Sequence, residues 1–95
     1  MASSFIGREN RRYKASKLIM DNYSDGEWFT VHDIMDLWAA RWVKCLTEKE
    51  LSKTLPALDL EFEFRPGYNY KFYRYHPKFD EDGNQLPLYV KRPKP

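Results

Sequence analysis

The sequence has little cysteine and histidine, which excludes two common ways of stabilising a small protein. Among its 95 residues Cys45 is the single cysteine, so the chain has no partner for an internal disulfide. Two histidines that lie far apart, together with one cysteine, cannot supply the four ligands of a structural zinc site. We therefore expect no bound metal and a reducing, cytoplasmic setting.

Long apolar runs are also missing from the chain. No stretch of 18 consecutive residues lacks a charged side chain, and residues 1–7 are too short for the apolar region of a signal peptide. We therefore expect neither secretion nor insertion into a membrane.

Aromatic residues, in contrast, are abundant, with three Trp, seven Tyr and six Phe. A chain this short buries only about 60% of its unfolded surface, so its core should depend on dense aromatic packing. We expect one domain over residues 10–91, between a flexible N-terminal arm at 1–9 and a basic tail at 92–95.

Charge is segregated along the chain, although the net charge is only +2. Residues 1–20 carry five basic side chains and one acidic one, whereas residues 21–40 carry five acidic side chains and no basic one. Such segregation can place a basic face on a nearly neutral molecule, and basic faces are typical of proteins that bind nucleic acid.

The spacing of apolar residues predicts three helices. A stripe that includes Leu18 and Ile19 predicts the first over residues 11–23. Thr30 precedes an i, i+3, i+4, i+7 apolar series and predicts the second over 31–40. A capping box at residues 47–50 followed by spaced leucines predicts the third over 48–58.

Alternation of apolar and polar residues predicts a strand over residues 60–64 and continues over 86–90. Residues 70–75, with aromatic side chains on both faces, predict a second strand, and the short aromatic segment 27–29 predicts a brief strand before the second helix. The expected core comprises Leu18, Ile19, Ile34, Leu37, Leu51, Leu55, Phe62 and Phe72.

This order of elements resembles a winged helix-turn-helix domain. The resemblance is carried by TVHDIMDLW at residues 30–38 and LTEKELSKTL at 46–55, ahead of an aromatic hairpin. It implies an α+β fold with a three-helix core and a C-terminal β-hairpin wing, in which the third helix enters the DNA major groove and the wing contacts the backbone. Two features depart from the pattern: residues 39–45 contain no glycine, and Glu61 and Glu63 would repel phosphates if they faced DNA.

Three groups of basic and polar residues are candidates for DNA contact. They are Arg8, Arg11 and Arg12 near the N-terminus, Lys49, Ser52 and Lys53 on the third helix, and Arg65, Asn69, Lys71 and Arg74 in or beside the turn between strands. Each group has an alternative interpretation, because charged side chains also serve solubility, form the solvated side of an amphipathic helix, or pair with acids such as Glu48 and Glu50.

Other motifs have plainer interpretations. Residues 80–84 resemble part of a calcium loop, but Lys91 stands where the loop needs a glutamate, which favours a polar turn. His32 has no nucleophile at a predictable spacing. Trp42 and Val43 would offer an exposed anchor for a partner only if the second helix ended near residue 40.

No nucleophile–base pair, metal cluster or phosphate-binding glycine loop is visible, so we expect no enzyme activity and no cofactor. The first hypothesis is a small DNA-binding protein, a regulator of transcription or an accessory factor, that contacts duplex DNA through residues 47–58, the 65–71 turn and the N-terminus. The alternative is a winged-helix module that docks on a protein, for example a viral protein on a host or viral enzyme in the host cytoplasm. Either hypothesis is compatible with a homodimer.

Overall fold

The computed structural model describes residues 7–90, which form three helices followed by a small antiparallel sheet. The elements are helix α1 (Arg8–Asn22), strand β1 (Trp28–Phe29), helix α2 (Val31–Arg41), helix α3 (Glu48–Thr54), strand β2 (Glu61–Phe64) and strand β3 (Lys71–Arg74). The strand order is β1-β3-β2. This α+β arrangement is winged-helix-like, as predicted, with the β2–β3 hairpin in the position of the wing.

Capping boxes fix the starts of α2 and α3. Thr30 Oγ1 accepts a hydrogen bond from the Asp33 amide, and the Asp33 carboxylate accepts one from the Thr30 amide. Thr47 and Glu50 make the same reciprocal pair at the start of α3, with distances of 3.0 and 3.1 Å. These bonds satisfy amides that have no partner inside a helix, which explains why both helices begin where the sequence predicts.

The other helix boundaries differ from the prediction. Helix α1 begins at Arg8, about one turn early, within the range predicted for the arm. Helix α3 ends at Thr54, and a single 3-10 turn, Leu55–Ala57, follows it. Pro56 has no amide hydrogen, so the α-helical ladder cannot continue through it to residue 58. Residues 1–6 of the predicted arm and 92–95 of the predicted tail lie outside the described residues.

The buried core joins the three helices to the sheet. It consists of Ala15, Leu18, Ile19, Phe29, Val31, Ile34, Trp38, Leu46, Leu51, Leu55, Leu58, Tyr73 and Tyr75. Five of the predicted core residues are among them, while Leu37 and Phe72 are only half-buried. The prediction for Phe62 was wrong, because its side chain is 52% exposed. Phe62 is the register partner of buried Tyr73, but it lies on the edge strand β2, where one flank of the side chain has no neighbouring strand.

The segment after β3 returns to α1 instead of adding a strand. Among residues 75–90 the only sheet-like pairing is a single bridge between Phe79 and Gln85. Pro87 interrupts the predicted alternation over 86–90, because it cannot donate to a ladder. Instead, the Leu88 amide lies 3.4 Å from Met20 Sδ, and the Tyr89 hydroxyl lies 3.3 Å from a Glu9 carboxylate oxygen.

Two tryptophans whose rings pack at a tilted angle hold the connection between α2 and α3. Trp38 is buried and its Nε1 donates to the Lys44 carbonyl at 2.8 Å. The Trp42 ring lies 4.9 Å from the Trp38 ring, and the Lys14 and Arg41 side chains cover it. Trp42 is therefore packed, although α2 ends at Arg41, whereas the neighbouring Val43 is fully exposed. Within residues 7–90, no helix is long and apolar enough to cross a membrane.

Candidate nucleic-acid interface

The outer side of α3 carries the polar residues that the sequence predicts there. Lys49, Ser52 and Lys53 are exposed, whereas Leu51 on the opposite side is fully buried. Neither lysine pairs with a carboxylate in the part of the chain that the structure describes. The interpretation in which Glu48 and Glu50 neutralise them is therefore not observed.

The two glutamates of α3 contact residues of other segments. Glu48 lies 3.1 Å from His32 Nε2, and Glu50 receives hydrogen bonds from Thr47 and lies 3.9 Å from Arg11 Nη1. The hydrogen bond from the Thr47 amide is the main reason that the pKa of Glu50 falls below its ordinary value. Glu50 therefore stays charged, and its carboxylate interacts with Thr47 of the cap and with Arg11 of α1.

A cavity lies between α1 and α3 and joins the N-terminal basic residues to the third helix. It has a volume of about 290 Å³ and is lined by Arg11, Arg12, Lys53 and Thr54. Arg11 and Arg12 are half-buried, and Arg12 Nε is buried without a hydrogen-bond partner among the residues described. We call this the α1–α3 cavity. The sequence predicts Arg11 and Arg12 in one group of DNA contacts and Lys53 in another, and it does not predict that the two groups meet.

A second concavity, the α3–wing groove, lies between α3 and the hairpin. It has a volume of about 220 Å³, and its lining includes Ser52, Asn69, Phe64, Lys71 and the acidic Glu48. Lys71 Nζ lies 4.6 Å above the Phe62 ring and 5.7 Å above the Phe64 ring. The structure thus brings together three of the predicted DNA contacts, Ser52, Asn69 and Lys71.

Arg65 and Arg74 lie on the other side of the sheet. Successive residues of a strand alternate between faces, so Arg74 faces away from Lys71 and Tyr73. Arg74 donates two hydrogen bonds to Glu61, and Arg65 Nε lies 2.5 Å from Glu63. Both guanidinium groups also lie over the Trp28 ring, at 4.4 and 5.3 Å.

The acidic residues of β2 therefore neutralise the wing arginines instead of facing α3. Hydrogen bonds from His76 and then Arg74 lower the pKa of Glu61, so this pairing persists over the neutral range. The structure does not bring Arg65 or Arg74 to the outer side of α3. Arg8 begins α1, and its side chain lies outside what the structure describes.

The remaining polar motifs form local contacts. The Asp80 carboxylate accepts hydrogen bonds from the Asp82 and Asn84 amides, both at 2.9 Å, and closes the polar turn. Within residues 7–90 no group of three or more His, Cys, Asp or Glu side chains is placed to hold a metal ion.

No family model matches the chain, and searches of curated proteins and of solved structures find no similar protein.

Proposed function

We propose that the protein binds duplex DNA through the outer side of α3, with the α1–α3 cavity and the α3–wing groove on its two flanks. One observation carries the proposal. Arg12 on α1, Lys49 and Lys53 on α3, and Lys71 on β3 form no ion pair with a carboxylate within residues 7–90. We call these four residues the basic strip.

The strip has the chemistry that a DNA interface needs. Lysine and arginine side chains neutralise backbone phosphates, which supplies most of the affinity for any sequence. An α-helix fits the major groove, where the exposed Ser52 and Asn69 could bond to base edges. A protein that uses this surface would act as a regulator of transcription or an accessory factor on DNA.

The salt dependence of binding to a random-sequence duplex tests the proposal. The affinity should fall steeply as salt rises, because each phosphate contact releases condensed counterions. Replacing Lys49 and Lys53 by alanine should flatten the slope of log affinity against log salt concentration by about 1.8, or about 0.9 for each lost phosphate contact. Fluorescence anisotropy of a labelled duplex measures this slope.

The variant Lys17→Ala with Lys78→Ala is the matched control, because it removes the same charge from other parts of the surface. Lys17 lies over the Tyr13 ring, and Lys78 pairs with Asp59 at 2.7 Å. The control should keep nearly the full slope. An equal loss in both double variants would assign binding to net charge alone, and no binding of the intact protein at low salt would overturn the proposal.

A second candidate function, docking on a protein, is favoured by one observation on the wing. Phe62 and Phe64 on edge strand β2 are 52% and 71% exposed, and edge strands with exposed apolar side chains can pair with other chains. If docking is the function, replacing both phenylalanines by serine should abolish it. The same change keeps all four charges of the basic strip, so duplex binding should retain most of its salt dependence if the basic strip is the interface, although Lys71 loses its contacts with both rings.

A further inference from the structure

The α1–α3 cavity differs from the rest of the basic strip because it concentrates cations in a concave space. Arg11 and Arg12 are consecutive on α1, and Lys53 approaches from α3. Its volume of about 290 Å³ far exceeds the space that a single water molecule needs, about 15 Å³. The cavity can therefore admit a polyatomic ligand.

Charge in and around the cavity favours an anionic ligand. The described residues that line it include no acid, and Glu50 lies beside it at 3.9 Å from Arg11. Glu50 also accepts two hydrogen bonds from Thr47, so part of its charge is engaged at the cap of α3. Three cations less one carboxylate leave an excess of two positive charges.

Arg12 supplies a second and independent sign of a ligand. Its Nε is buried and has no hydrogen-bond partner among residues 7–90, although buried polar atoms in folded proteins are normally bonded. A guanidinium presents its donors in a planar fork that matches the oxygens of a phosphate. An oxyanion in the cavity would provide the acceptors that this side chain lacks.

We infer that the α1–α3 cavity is a phosphate-binding site, in which Arg12 and Lys53 contact the phosphate oxygens and Arg11, which lies near Glu50, adds positive charge. The site takes either a free phosphate ion or a phosphate of a nucleic-acid backbone. Its existence does not depend on the proposed function, but the assignment to a backbone phosphate rests on that function.

A titration of the full chain with inorganic phosphate tests the site. Ionic strength is held constant by exchanging chloride for phosphate, and the amide NMR signals of residues 11, 12, 53 and 54 are followed. These signals should shift together and saturate. Arg12→Gln and Lys53→Gln should each weaken binding by about tenfold or more, as expected for the loss of one charge-assisted hydrogen bond.

Lys49→Gln is the matched control, because it removes one charge from the same helix at a residue that does not line the cavity. It should leave phosphate binding nearly unchanged. Shifts that do not saturate, or an equal loss of binding in Lys49→Gln, would overturn the site. Amide signals across the whole spectrum of each variant report whether it is still folded.

Duplex binding by Arg12→Gln identifies the source of the phosphate. A slope lower by about 0.9 assigns the site to the DNA backbone. If the slope for Arg12→Gln equals that of the wild type, and the wild type binds phosphate, the site is assigned to a free phosphate ion. If the protein binds phosphate saturably but binds no duplex, the proposed function is wrong and the phosphate site stands. If it binds duplex DNA but not phosphate, the proposed function stands and the phosphate site is wrong.

Discussion

Glu61 on β2 accepts two hydrogen bonds from Arg74 on β3, at 2.9 and 3.2 Å, on the face of the sheet that points away from Lys71. This pairing reflects how the wing separates its charged residues between the two faces of the sheet. Glu61 and Glu63 of β2 stay on the face of the arginines, so their negative charge is neutralised there. Lys71 remains on the side of the α3–wing groove, where it can contribute to binding.

The first prediction compares Lys71 with Arg74 in duplex binding. Lys71→Ala should flatten the slope of log affinity against log salt by about 0.9, because a phosphate contact is lost. Arg74→Ala removes the same charge from the opposite face and should leave the slope nearly unchanged. Anisotropy titrations of both variants measure the difference. A larger effect of Arg74 than of Lys71 would place the interface on the outer face of the sheet.

The second prediction compares a buried residue with an exposed one. Leu51→Ala should lower the free energy of unfolding by about 2–5 kcal/mol, since Leu51 is completely buried and its loss leaves a cavity. Phe62→Ala should cost less than about 1 kcal/mol, because its ring is half-exposed and few contacts are lost. Urea unfolding followed by circular dichroism measures both. Similar costs for the two changes would contradict the edge position of β2.

The third prediction concerns the cap of α3. Thr47→Ala should lower the free energy of unfolding by about 1 kcal/mol, because the Glu50 amide loses its acceptor. Thr47→Ser keeps the hydroxyl and should restore most of this stability. Ser52→Ala on the exposed side of the same helix is the control, with an expected change within about 0.5 kcal/mol. Alanine is a better helix former than serine, so if Ser52→Ala cost as much as Thr47→Ala, the loss in Thr47→Ala could not be assigned to the cap.

Local signals in the sequence were sufficient to predict most of the fold. The threonine caps predicted the starts of α2 and α3, and the leucine spacing predicted the buried side of α3. The change to a two-residue period predicted β2, and the aromatic residues on both faces of 70–75 predicted β3. The end of α3 was missed because Pro56 was given less weight than the apolar spacing of Leu58, which is buried but lies beyond the helix.

Tertiary placement of the candidate site was less predictable. The alternation along β3 separates Lys71 from Arg74, so this division could have been made from the sequence once Tyr73 was assigned to the core. The meeting of Arg12 with Lys53 has no such signal, because it depends on how α1 packs against α3. The exposure of Phe62 depends on the strand order, which places β2 at an edge.

The last prediction concerns stability in acid. The pKa of Glu61 is lowered from its ordinary value of 4.5, chiefly by the hydrogen bond from His76 and then by the one from Arg74. A carboxyl group whose pKa is lower in the folded state stabilises the fold above its unfolded pKa, and this contribution disappears as the pH falls through the folded value. Stability should therefore decline below about pH 4.5 as Glu61 becomes protonated.

Glu61→Gln isolates this contribution, because glutamine keeps the shape of the side chain and cannot ionise. The variant should be less stable than the wild type at neutral pH, and the two stabilities should converge as the pH falls below the folded pKa of Glu61. Glu27→Gln is the matched control, since Glu27 is exposed and forms no ion pair within residues 7–90. Urea unfolding at several pH values measures the convergence. A constant difference between wild type and Glu61→Gln at every pH would show that the ionised carboxylate contributes nothing, and that the pairing with Arg74 does not hold the wing in solution.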